Sequence, residues 1–164
     1  MVRVFKHQRS EMPKVQDWHR KLAIGEAFER RMITYFEEQG HMAWKPTERT
    51  YDLRINMNVP FFGSVALNAE CKYDAMAAST KRLALQTFDG GRPRGIHPSG
   101  PCPDLWIHGV EGRAWIIKTK ILQGAVEQLG LKAIAMGDKG MRAKGVLMPL
   151  EQAQKLAGGH WVTL

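Results

Sequence analysis

Ala69-Glu70-Cys71-Lys72 is the segment whose residue types and spacing could do chemistry. On a strand, residues two apart share a face, so Glu70 and Lys72 project together while Ala69 and Cys71 point the other way. In isolation the tripeptide reads as a surface ion pair, which is worth little. Asp52, on the preceding strand signal Tyr51-Asp52-Leu53, changes that reading. Antiparallel pairing through a turn near Pro60 would bring Asp52 beside Glu70. Two converging carboxylates repel and raise one pKa, and a divalent cation relieves the repulsion. Magnesium takes oxygen ligands and keeps several waters, so Asp52, Glu70 and the backbone carbonyl of Cys71 would suffice. Such a centre suits phosphodiester hydrolysis, in which a metal polarises a phosphoryl oxygen and lowers the pKa of water. Lys72 would hold or activate that water and stabilise charge on the phosphate.

A further acid comes from the first helix. Glu29 precedes Met32, Ile33 and Phe36 by three, four and seven residues, which places it on the edge of the apolar face. A carboxylate there is unusual without a partner; the plain alternative is an ion pair with Arg30 or Lys21. Glu26 lies further round, towards the polar side, and the sequence does not choose firmly between the two.

In order, these residues resemble a known family. Gly25-x-x-x-Glu29-Arg30, Gly40 at the helix end, Asp52-Leu53 and Glu70-x-Lys72 look like the PD-(D/E)xK nuclease superfamily. The helical opening is similar to archaeal-type Holliday junction resolvases. Lys72-Tyr73-Asp74 through Ala78 and Thr80 look like small phage and bacterial nucleases. The resemblance covers roughly residues 22–88. It implies a restriction-endonuclease-like fold, Asp52 and Glu70 as ligands of Mg2+ or Mn2+, Lys72 as catalytic lysine and Glu29 as a helix-borne acid. Gln86 would match a polar position that orients a ligand or DNA. The literal Pro-Asp pair, Pro103-Asp104, falls downstream of Glu70, so Asp104 is read as a strand-opening residue. The long gap from Asp52 to Glu70 implies a hairpin extension near Asn56–Gly63. Lys81-Arg82 stand where related small nucleases often have Gly-Asn.

The elements that must position this chemistry follow from the hydrophobic pattern. A helix is predicted from about Lys14 to Gln39, stopped by Gly40, with Leu22, Phe28, Met32, Tyr35 and Phe36 at helical spacing. Gly25 inside it costs stability unless close packing needs it. Strands are predicted at Met42–Trp44, Tyr51–Ile55, Ser64–Lys72, Leu83–Phe88, Leu105–Val110, Arg113–Lys118 and Val146–Pro149. Residues 73–81 read as a polar connection or short helical piece, with further helices at about Ile121–Leu129 and through Lys155. The Gly/Pro-rich 89–103 and the Gly- and Lys/Arg-rich 136–145 read as mobile loops. Trp44, Trp106 and Trp115 read as core. The predicted class is α/β or α+β, a central mixed sheet flanked by helices. Residues 1–13 are a basic arm and 14–164 one domain.

Composition narrows the partner. The 24 Lys+Arg against 16 Asp+Glu, with a net charge of +8, favour an anionic partner, and nucleic acid is the commonest. Lys81, Arg82, Arg92, Arg94, Lys139, Arg142 and Lys144 are candidate phosphate contacts, which would give salt-sensitive binding blind to sequence. For each, a solvated surface is the alternative. Cys71 and Cys102 form no C-x-x-C pair and read as free thiols. His41, His97 and His108 lack metal-ligand spacing. With neither a signal-peptide pattern nor an apolar stretch long enough to span a membrane, a soluble cytoplasmic protein is expected. The leading expectation is a metal-dependent DNA endonuclease with branched DNA as a favoured substrate. A junction resolvase would be a homodimer, because two strands must be cut symmetrically. The competitors are a non-catalytic DNA-binding accessory protein retaining the fold, and a basic structural protein with an incidental Glu-x-Lys.

Overall fold

A computed structural model describes residues 14–48, 50–136 and 142–164. The predicted basic arm (1–13) and Lys139 lie outside the described residues. The first helix, α1 (Lys14–Glu38), buries Phe28, Met32 and Phe36, a stripe of i, i+4 and i+8 residues. Gly40 follows it with φ 79°, the left-handed conformation that ends many helices.

Helix α1 packs on one face of a six-stranded sheet made of β1 (Met42–Trp44), β2 (Leu53–Val59), β3 (Gly63–Tyr73), β6 (Leu105–Val110), β7 (Arg113–Lys118) and β10 (Gly159–Thr163). The spatial order is β1-β2-β3-β6-β7-β10. The sheet is mixed: β3 and β6 run parallel, and the other neighbours are antiparallel. Leu53, Ile55, Ala69, Cys71, Ile107 and Ala114 face α1 and complete one core.

The chain between β3 and β6 forms much of a second layer. It contains α2 (Ala77–Thr80), β4 (Arg82–Asp89) and β5 (Arg92–Pro93). Together with β8 (Ile134–Met136) and β9 (Ala143–Pro149) these strands form an antiparallel sheet ordered β5-β4-β9-β8. This sheet, with α3 (Thr119–Gln128) and α4 (Leu150–Lys155), covers the opposite face of the first sheet. Trp106, Val110, Trp115 and Ile117 pack there against Leu83, Leu85, Val146, Met148 and Leu122. The fold is α+β, with a central mixed sheet between a long helix and a second layer.

Several expectations need correction. The second sheet and β10 were not expected, because β8 and β10 are short and carry no clean alternation. The strand expected at Tyr51–Ile55 runs from Leu53 to Val59. The loop expected at 136–145 begins and ends in strands β8 and β9. Residues 89–103 are a tied connection: Arg94 N–H donates to Thr87 O (2.9 Å) and Ile96 N–H to Gln86 O (3.0 Å). Trp106 and Trp115 are core, but Trp44 is 41% exposed on the edge strand β1, where a three-residue strand has too little cover. Leu22 is also exposed, because it lines an open cleft between α1 and the end of β3 rather than the packed core.

Candidate active site

The site grows from the register of β2 on β3. Leu53 stands opposite Ala69, so Asp52 falls beside Glu70 just before β2 begins. Asp52 N–H donates to Ala69 O (3.1 Å), and Asp52 Oδ2 accepts Cys71 N–H (2.8 Å). The side chain of Asp52 thus takes over where the β2 backbone no longer reaches.

Glu70 and Lys72 project from the other face of β3, beside Trp106 and His108 of β6. Lys72 Nζ lies 2.8 Å from Glu70 Oε1. Burial pushes the Glu70 carboxyl up, Lys72 opposes this, and Asp52 raises it further, leaving it above the ordinary carboxylate range. Burial works against the Lys72 ammonium, but Glu70 and Asp52 outweigh it, and Lys72 is held protonated above the ordinary lysine range. Burial, then Asp52, drives the Cys71 thiol well up, which keeps it an inert thiol rather than a nucleophile.

Asp52, Glu70, Lys72, Gln86, Asp89 and Arg94 line one cavity of about 190 Å³ between the ends of the two sheets. Gln86 reaches it from β4, its amide donating to Phe88 O (3.4 Å). Arg94 reaches it from the start of the β5–β6 connection and favours the charged form of Glu70. Gly95 allows this approach: with φ 57°, its Cα lies so close to β4 that a Cβ would stand 2.3 Å from Gln86 O.

Glu29 lies on the α1 side. A second cavity, of about 320 Å³, is lined by Glu26, Glu29, Asp52, Cys71 and Lys72. Asp52 and Lys72 therefore border both cavities, whereas Glu70 lines the first and Glu29 the second. The 15%-exposed Glu29 side chain pairs with Lys45 Nζ at 2.5 Å, rather than with the neighbours considered from sequence. Glu29 is the main cause holding the Lys45 ammonium above its ordinary range.

The donor set can be tested against a hard divalent cation. Within a strand, one residue's N–H and C=O point to the same side. Cys71 N–H meets Asp52, so Cys71 C=O also faces the gap beyond the start of β2. Two carboxylates at this gap, one with its charge disfavoured by burial and by the other, together with the Cys71 carbonyl, fit a partly hydrated magnesium ion. Among the described residues no three Asp, Glu, His or Cys side chains gather to hold a metal alone, so the backbone carbonyl and water are integral to any such site.

The remaining basic candidates lie outside the cavity. Lys81 and Arg82 are exposed at the start of β4, Arg92 on β5, and Arg142 and Lys144 at β9. Asp104 is structural: its carboxylate accepts Asn68 N–H (2.8 Å), and its own N–H donates to Asn68 O, aligning β6 on β3. Sequence reasoning missed Asp89 and Lys45. The Asp89-Gly90 pair is a hairpin signal that would have placed Asp89 at the β4–β5 turn. It also missed the role of His108, which is wholly buried: Nδ1 accepts the Trp106 indole N–H (3.2 Å), and Nε2 faces Asp74 Oδ2 at 3.6 Å. Because an indole can only donate, the imidazole proton sits on Nε2, towards Asp74.

No protein-family model matches the chain, and no curated protein matches it significantly. Among solved structures, the chain is similar to a bacterial homing endonuclease, I-Ssp6803I, at 16% identity and a TM-score of 0.45, over 72% of this chain and 80% of that one. No helix among the described residues is long and apolar enough to cross a membrane.

Proposed function

We propose that this chain is a metal-dependent DNA endonuclease whose centre is Asp52, Glu70, the carbonyl of Cys71 and Lys72. One observation carries the reading: two carboxylates from adjacent strand ends line a single cavity, and a protonated lysine two residues along the strand sits on one of them. Magnesium or manganese bound there would polarise a phosphoryl oxygen and lower the pKa of water. Asp52 and Glu70 supply the negative charge that selects a cation. Lys72, held protonated, donates to a phosphate oxygen or to the attacking water's oxygen as negative charge develops. Arg94, at the same cavity, binds the phosphate, and Gln86 orients it. Glu29, paired to Lys45, acts from the far side of Asp52 by holding charge near that carboxylate. The net charge of +8 supports a nucleic-acid substrate. Branched DNA and a homodimer belong to this reading as its resolvase form, a plain nicking enzyme being the simpler form.

The test is cleavage of supercoiled plasmid and of a four-way DNA junction, with magnesium and with EDTA, by the wild type and Lys72→Ala. Metal-dependent cutting abolished in the variant supports the reading, and preference for the junction supports the resolvase form. DNA binding without cutting of either substrate would overturn it in favour of an accessory DNA-binding protein.

A further inference from the structure

The β2–β3 hairpin continues well past the strands that flank it. Strand β1 pairs with β2 only at Arg54–Asn56, and β6 joins β3 only from Ala69 onward. From Met57 to Val65 the two arms pair with one another as a ribbon. At its tip Phe61 is wholly exposed and Phe62 is 86% exposed.

The tip is built in an unfavourable way. Phe62 N–H donates to Val59 O (3.1 Å), closing a turn with Pro60 second and Phe61 third. Phe61 has φ 70°. That is the third position of a type II turn, which takes Gly or Asn because a side chain there is strained. An aromatic ring at this position is strained and packs against none of the described residues, so its presence points to an occupant outside the fold.

We propose that Phe61 and Phe62 form a wedge that inserts between nucleobases of the DNA engaged by the site. This rests on the nuclease reading. Three observations favour nucleobases. Residues 53–69 contain no carboxylate, although the chain has 16, and their only charge is Arg54, so the ribbon does not repel phosphate. The ribbon is the direct continuation of the strands beside Asp52 and Glu70, and Phe62 at its tip is eight residues from Glu70, roughly 26 Å at about 3.3 Å per residue. DNA held at the site is therefore within reach. A second copy of the chain is a poorer occupant: two Phe side chains offer about 300–500 Å² per copy, whereas a stable interface takes about 800 Å² per partner. Aromatic, apolar and proline side chains are the groups that open base steps.

The experiment uses the full chain carrying Lys72→Ala, so that binding is read without cutting. The DNA is a duplex, or a four-way junction, with 2-aminopurine scanned along it. The expected result is a fluorescence rise at one or two positions, lost in Phe61→Ser/Phe62→Ser and kept in Phe61→Trp/Phe62→Trp. Affinity should fall about tenfold or more in the serine variant, as base–aromatic stacking implies. Phe61→Gly should melt at a higher temperature than the parent yet bind DNA more weakly, a pairing that a structural role would not produce. A rise on the junction alone assigns the wedge to branched DNA; a rise on both assigns it to duplex steps. The wedge is overturned if DNA binds with no fluorescence rise at any position, or if the serine variant binds equally well. It is also overturned if that variant converts a dimer to a monomer in sedimentation. Failure of the wild type to cut, with the fluorescence rise intact, would sink the nuclease reading and leave the wedge standing.

Discussion

Asp52 accepts the backbone N–H of Cys71 at 2.8 Å, and this bond joins the acid before β2 to the strand that carries Glu70 and Lys72. The carboxylate has two separable duties, pinning β3 and presenting charge. Asp52→Asn keeps an acceptor for Cys71 N–H and removes the charge. We expect it to fold with little loss of stability and to lose metal-dependent plasmid cleavage by at least about a hundredfold, of the order seen when a group stabilising transition-state charge is removed. Asp52→Ala should lose cleavage and also about 1–2 kcal/mol of stability, because a part-buried N–H is left unpaired. Paired cleavage and urea-denaturation assays separate the two.

Divalent metal should stabilise the fold through Glu70. Binding to the native state alone raises stability by about 1.4 kcal/mol at ten times the dissociation constant. Magnesium should therefore raise the melting temperature, EDTA should reverse the rise, and Glu70→Gln should abolish it. A rise of equal size in Glu70→Gln would place the metal elsewhere.

Gly95→Ala tests the loop that delivers Arg94. Its Cβ would stand 2.3 Å from the backbone oxygen of Gln86 at a left-handed φ, so the connection must shift. Stability should fall by about 1–3 kcal/mol and KM for DNA should rise more than kcat falls. Arg94→Ala should show the same KM effect without the loss of stability.

Gly25→Ala should act in the opposite direction. Outside the helix's own backbone, no atom of the described residues lies within 4 Å of a Cβ built there, so packing among those residues does not require the glycine. The substitution should stabilise the fold by about 0.5–1 kcal/mol in thermal or urea melts.

Asp74 sets an acid dependence. Burial pushes its carboxyl up, but the His108 imidazole facing it at 3.6 Å and the hydrogen bonds from Ala84 N–H and Met76 N–H outweigh this and hold it below its ordinary value. A depressed carboxylate contributes stability that is full above its unfolded pKa, near 3.9, and is lost as pH falls through the lowered folded value. Asp74→Asn should therefore be less stable than the parent at pH 7, and the gap should close below about pH 4. Urea midpoints across that range are the measurement.

The site was legible where it depends on period and order. Alternation along β3 put Glu70 and Lys72 on one face, and the Pro60–Gly63 turn implied the hairpin that carries Asp52 alongside. The helix stripe of Phe28, Met32 and Phe36 was equally plain. What escaped depends on contacts distant in sequence. That Glu29 pairs with Lys45 depends on the angle at which α1 crosses the sheet, and no local pattern encodes it. Asp89 enters the cavity because the chain after β3 leaves to build a second sheet. Trp44 reads as core from its neighbours, yet an edge strand of three residues leaves it uncovered.

The hairpin register also limits how this chain can vary in length. Faces alternate with every residue, so one residue gained or lost in β3 between the tip and Glu70 would turn Glu70 and Lys72 into the α1 core and Ala69 and Cys71 out of it. Insertions there would be tolerated only as matched pairs, one residue on each arm placed beyond the Asp52–Cys71 tie. Homologues of this chain should therefore differ in ribbon length by even steps, with the Asp52 and Glu70 end unchanged and the reach of the tip altered by about 3.3 Å per matched pair.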